Sequence, residues 1–216
     1  MSNLTPEQRS TNFETYQHID NVIKLLIKMQ IEISKRILTH DRSKLANPEV
    51  STFTEFTPKL KNSTYGSDEY KSFLAEMKPA LDHHYAHNRH HPEYFKECEK
   101  DEGAIAQCAN LIGFLESRTD IKAPDDEYGY GHSVDVIRKC KDELESDING
   151  MNIIDVLEMI VDWKAASLRH ADGDINRSIE INTDRFKMSP QLVNILKNSV
   201  ALVVEPFPEL KTQKDI

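Results

Sequence analysis

Asn152-Ile-Ile-Asp-Val-Leu-Glu-Met-Ile-Val-Asp-Trp-Lys-Ala-Ala-Ser-Leu-Arg-His170 carries the clearest helical pattern in the chain. Ile153, Val156, Leu157, Ile160, Val161 and Ala165 recur at three- and four-residue spacing, so they share a helix face and are expected to form its buried stripe. The same spacing aligns Asp155, Glu158 and Asp162. A carboxylate set among apolar side chains is costly unless it is paired or bound to a cation. Asp162 therefore reads either as a metal ligand or as an acid tied to Arg or Lys. For Asp155 the structural reading is the stronger one.

Other segments show the same period. Thr5-Pro6-Glu7 has the form of a capped helix start, and residues 14–38 read as helix, with Val22, Leu25, Leu26, Met29, Ile33 and Ile37 on one face. Asn47-Pro48-Glu49 opens a new element. Residues 57–68 read as a polar loop and Asp68 starts another helix. Pro79 marks a kink or a fresh start before Ala80–Asn88. Ala104–Glu116, Val134–Ile148 and Gln191–Val204 are further helices, the last capped by Ser189-Pro190. Glycine is scarce, 7 of 216 residues, and period-two alternation is nearly absent. The expected fold class is all-α, a single domain over 1–216.

Charged residues make up 29% and hydrophobic residues 38%, and the net charge is −9. An acidic chain is poorly suited to neutralising the phosphates of an extended nucleic acid. No apolar run approaches membrane-spanning length, and the polar start from Met1 to Glu14 lacks a signal segment. Cys98, Cys108 and Cys140 fit neither a disulfide framework nor a zinc knuckle. They read as reduced thiols, and the expected location is the cytoplasm.

The chemistry concentrates in two short stretches. His40-Asp41 offers one neutral nitrogen and one anionic oxygen, a mixture that divalent metals accept. Five of the nine histidines fall between 83 and 91. His84, His87 and His91 share one helix face, and His83, His87 and His90 an overlapping one. Such a cluster is either a metal site or a polar surface patch around Pro92.

The order His, His-Asp, further histidines, late helical Asp resembles the HD superfamily of metal-dependent phosphohydrolases. His40-Asp-Arg-Ser-Lys44 is similar to the HD-x-x-K form of the subfamily that binds more than one metal, and His83-His84 with His90-His91 resembles its additional histidines. Taken with Asn88-Arg-His-His-Pro-Glu93, Glu158-Met-Ile-Val-Asp-Trp163 and Arg185-Phe186, the set looks like an uncharacterised HD-like family common in bacteriophages and bacteria. The resemblance covers about residues 14–200, with a probable insertion at about 97–149. It implies a helical bundle around one or two divalent ions (Mn, Fe, Co, Mg or Zn).

The ligand set it implies is His18, His40, Asp41, His84, His90, His91 and Asp162. His18 is the only upstream histidine that can fill that place. In a straight helix it lies about 33 Å from His40, so the role needs a break near Lys28–Ile31, where there is no Gly or Pro; the alternative is a core-facing histidine. Asp41, Lys44 and Glu93 are the candidate catalytic residues. Lys44, Asn88, Arg169 and Arg185 are candidate substrate contacts, and Arg177 is a further phosphate candidate. The alternatives are a solvated Lys44, helix capping by Asn88 and Glu93, and structural ion pairs for the arginines.

The expected activity is removal of phosphate from a small nucleotide, a nucleoside 5′-monophosphate or a deoxynucleoside triphosphate, by a metal-activated water. The alternatives are a cyclic-nucleotide or dinucleotide phosphodiesterase, a di-iron oxygenase and a non-catalytic nucleotide-binding module. The partners implied are the nucleotide and, through apolar helix faces, a second copy in a homodimer. If the chain is phage-encoded, its location is the host cytoplasm.

Overall fold

The computed structural model describes residues 4–64, 66–117, 130–168 and 173–203. All regular structure among them is helical: nine α-helices with short 3-10 turns and no strand. The all-α expectation therefore holds. No helix among the described residues is long and apolar enough to cross a membrane. The backbone divides into two compact units, residues 1–42 and 43–216.

The first unit is helix α1, Pro6–Thr39, followed by His40 and Asp41. Its start follows from sequence. The Thr5 hydroxyl accepts from the Gln8 N–H, the Gln8 side chain accepts from the Thr5 N–H, and Pro6 fills the first turn. Nothing interrupts the 34 residues that follow. The helix buries none of them, and Ile19, Val22, Leu26 and Met29 stay exposed. The chain leaves α1 through Asp41, at φ 55°, a left-handed conformation that Asp tolerates better than most residues.

The second unit holds α2 (Val50–Asn62), α3 (Asp68–Glu76), α4 (Lys78–His87), α5 (Glu102–Ser117), α6 (Tyr130–Glu145), α7 (Ile153–Ser167), α8 (Ile175–Phe186) and α9 (Pro190–Ser199). Helices α2, α3 and α4 pack in succession, as do α7, α8 and α9. The core lies among the last three: Met159 and Ile160 from α7, Ile175 and Ile179 from α8, and Leu196 from α9, closed by Ile148 and Met188. Helices α5 and α6, inside the stretch read as an insertion, pack on each other. At their base Lys100 Nζ donates to the Glu145 carbonyl at 2.7 Å and to Asp147 at 3.0 Å.

Three readings need correction. Residues 57–62 continue α2 rather than forming a loop. Helix α8 is not anticipated, because Asn176, Arg177, Ser178 and Glu180 mask an inward line of Ile175, Ile179 and Asn182. On α7 the buried line is Asp155, Met159, Ile160 and Ser167, whereas Ile153, Leu157 and Val161 are exposed. The stripe is rotated because buried Asp155 turns inward to meet Arg89.

The turn before α7 depends on one glycine. A Cβ added to Gly150 would sit 2.7 Å from Phe95 Cβ and Cδ1. Phe95 is itself buried, so it has little room to yield. Gly150→Ala is expected to destabilise the protein by about 1–3 kcal/mol through overpacking. Urea unfolding measures this, and an unchanged midpoint would show that Phe95 moves freely.

Candidate metal centre

Helix α4 ends in the histidine stretch, and its geometry selects among the five rings. His84 is buried on the inner side of α4, whereas His87 is exposed. His87 stacks on His83 at 4.0 Å between centroids and donates from Nδ1 to the His83 carbonyl at 2.7 Å. Beyond the helix the chain turns at Asn88 and brings His90 and His91 back toward His84. Ring centroids lie 4.8 Å apart for His84–His91, 6.1 Å for His84–His90 and 4.1 Å for His90–His91. The ligand atoms of these three histidines lie within 4.8 Å of one another, and those of His90 and Asp162 meet the same limit. The structure therefore gathers His84, His90 and His91, three of the residues expected to bind metal, and brings Asp162 within reach of His90.

His84 Nε2 and His91 Nε2 are 3.0 Å apart. Two nitrogen lone pairs at that distance repel unless a proton or a cation lies between them. Nitrogen ligands bound at about 2.0–2.1 Å and nearly at right angles are separated by about 2.9 Å. The donor set, imidazole nitrogens with a carboxylate oxygen, suits a divalent transition ion. These residues could hold a metal ion.

Carboxylates brace the rings from behind. Glu49, fully buried at the start of α2, accepts from His83 Nδ1 at 2.7 Å, His84 Nδ1 at 2.9 Å and Ser43 Oγ at 3.0 Å. Burial opposes its ionisation, but the hydrogen bonds from His83, Ser43 and His84 outweigh that and hold the carboxyl below its ordinary value. On the other side Glu158 Oε1 lies 3.3 Å from His90 Nδ1. Nothing in the local sequence of Glu49 signals this role. An acid opening a helix reads as ordinary complement to the helix dipole.

A second contact ties the histidine loop to α7. Arg89 donates from Nε and Nη2 to the two oxygens of Asp155, at 3.2 and 2.9 Å, and its guanidinium lies over the rings of Tyr94 and Phe95. Asp155 also accepts from the Asn152 N–H. It is thus structural, as the sequence suggested.

The remaining candidates separate clearly. His40 and Asp41 belong to the first unit, with His40 Nε2 3.6 Å from Asp41 Oδ2. His18 lies inside uninterrupted α1, so the rise of the helix puts it about 33 Å from His40 and it cannot share an ion with it. Asn88 is not placed to bind substrate. It is buried at the end of α4, and its Nδ2 donates to Ser43 Oγ and the His84 carbonyl. Glu93 and Arg185 form an ion pair with each other, and Arg185 lies over Phe186. The pairing is the structural alternative to the roles expected of them. Arg169 lies outside the described residues.

Lys44 does line a cleft, of about 700 Å³, whose wall includes His84 and His91. Lys61 and Arg177 add positive charge to it, and Phe53 and Trp163 add apolar surface. The volume is in the range of small-molecule sites. Lys44 Nζ sits 5.0 Å from the Phe53 ring centroid. Burial and Glu93 push the hydroxyl of Tyr85, another cleft residue, above its usual range.

The model of a family of unknown function, DUF5662, matches residues 7–202. The chain belongs to DUF5662. No curated protein and no solved structure matched it. The match spans α1 to α9, so it covers the His40-Asp41 pair, the histidine cluster and Asp162.

Three substitutions probe this centre of the DUF5662 chain. His84→Ala and His91→Ala are each expected to weaken Mn²⁺ or Co²⁺ binding by about 100-fold or more, beyond the effect of losing an outer partner. Calorimetric titration measures this, and unchanged affinity in both would remove these rings from any metal site. Arg89→Ala leaves the Asp155 charge buried without its partner and is expected to cost about 3–5 kcal/mol of stability. A denaturation midpoint equal to the wild type would show the pair to be dispensable.

Proposed function

We propose that the chain is a metal-dependent phosphohydrolase acting on a small nucleotide, a nucleoside 5′-monophosphate or a deoxynucleoside triphosphate. The observation that carries the reading is the 3.0 Å approach of His84 Nε2 and His91 Nε2 in the wall of a cleft that also contains Lys44, Lys61 and Arg177. Metal ligands beside three cations suit a phosphorylated substrate better than a neutral one.

His84, His90 and His91 would hold a divalent ion, Mn, Fe, Co, Mg or Zn, with Asp162 within reach of His90. The HD resemblance assigns metal binding to His40 and Asp41 as well. A bound divalent ion supplies an acidified water and a Lewis acid for phosphoryl oxygens. The chain's own groups do the rest. Lys44 and Lys61 act as point charges on phosphate, and the Arg177 fork matches two of its oxygens. Phe53 and Trp163 offer flat apolar surface to a base.

The test is a screen of nucleoside monophosphates, deoxynucleoside triphosphates and dinucleotides for phosphate release with Mn²⁺, Co²⁺ and Mg²⁺, under air and without oxygen. Metal-dependent release is expected in both atmospheres. Asp162→Ala and Asp41→Ala are expected to abolish it with helical circular dichroism retained. Turnover that survives both changes, or no release from any nucleotide, would reject the reading.

A further inference from the structure

We infer that Glu49 is the positioning residue of the histidine cluster: it fixes His84 as the Nδ1–H tautomer and so aims the Nε2 lone pair at the point shared with His91. The tautomer stands on hydrogen counting alone; its consequence for metal affinity rests on the reading above.

Around His84 Nδ1 lie Glu49 Oε2 at 2.9 Å, Asn88 Nδ2 at 3.0 Å and Ser43 Oγ at 3.1 Å. The Asn88 amide nitrogen has two hydrogens. They go to Ser43 Oγ at 2.9 Å and to the His84 carbonyl at 2.8 Å, so none is left for Nδ1. Ser43 has one hydrogen, which goes to Glu49 Oε2 at 3.0 Å. Glu49 as a carboxylate only accepts. With the hydrogens of Asn88 and Ser43 so placed and Glu49 accepting, the proton of this contact sits on Nδ1. In a neutral imidazole the other nitrogen, Nε2, is then the acceptor or ligand.

The rest of the carboxylate is also engaged. Glu49 Oε1 accepts from His83 Nδ1 at 2.7 Å, so each oxygen holds one of two adjacent histidines. His84 is further held by the edge of Phe53, with centroids 5.6 Å apart. A ring fixed on both sides loses little freedom when Nε2 takes a ligand, and the hydrogen bond to a carboxylate raises its basicity.

The decisive experiment needs no mutation. Long-range ¹H–¹⁵N spectra of ¹⁵N-histidine-labelled, metal-free protein near pH 7.5 are expected to show His84 with a protonated Nδ1 and an unprotonated Nε2. A protonated Nε2 in the wild type would overturn the inference. Glu49→Gln is expected to shift the tautomer mixture and to weaken Mn²⁺ binding about tenfold; affinity within twofold of the wild type would overturn the positioning role. Wild-type protein that shows the expected tautomer but binds no divalent ion would support the tautomer assignment and overturn the metal reading instead.

Discussion

Two imidazole nitrogens, His84 Nε2 and His91 Nε2, face each other at 3.0 Å. That is an unfavourable arrangement for two bare lone pairs, so a proton or a cation must resolve it. The polar architecture of the second unit follows from maintaining this approach. Glu49 and Ser43 hold His84 from the side away from the cluster, Asn88 spans the end of α4, and Glu158 stands behind His90. Each of these groups would be costly if buried alone. Together they satisfy one another.

The second requirement is that a helix end, a loop and a distant helix keep register. Residues 84 and 91 are close in sequence, but Asp162 is not. Arg89 connects them: it sits between Asn88 and His90 and grips Asp155, two turns before Asp162 on α7. Helix α7 is in turn held by Met159 and Ile160 in the core it forms with α8 and α9. A planar fork on a carboxylate fixes direction as well as distance, so the loop cannot rotate without breaking two bonds. The acid most deeply set in the apolar helix is thus structural, and the more accessible one, Asp162, faces the cluster.

Much of this was legible in the sequence where the signal was local. Thr5-Pro6 and Ser189-Pro190 announced helix starts that the structure has, and the histidine run marked the stretch where three rings come together. Which rings converge was harder, because five histidines share overlapping faces and only the turn at Asn88 decides among them. Glu49 was invisible: its partners lie 34 and 35 residues away, and nothing in Asn-Pro-Glu distinguishes a bracing carboxylate from a helix-start acid. Helix α8 was missed because its inward line mixes two isoleucines with an asparagine. His18 failed as a ligand for the reason its neighbourhood gave, since α1 has no residue that would break it. Glu93 and Arg185 were read as a catalytic group and a substrate contact, and their separation of 92 residues hid that they pair with each other.

The most direct test is anomalous scattering from a crystal of the protein loaded with Mn²⁺, recorded on both sides of the manganese absorption edge. The account predicts a peak within coordinate-bond distance of Nε2 of both His84 and His91. Coordinates of the loaded protein with no manganese there, and those two nitrogens bridged by a hydrogen bond, would contradict it.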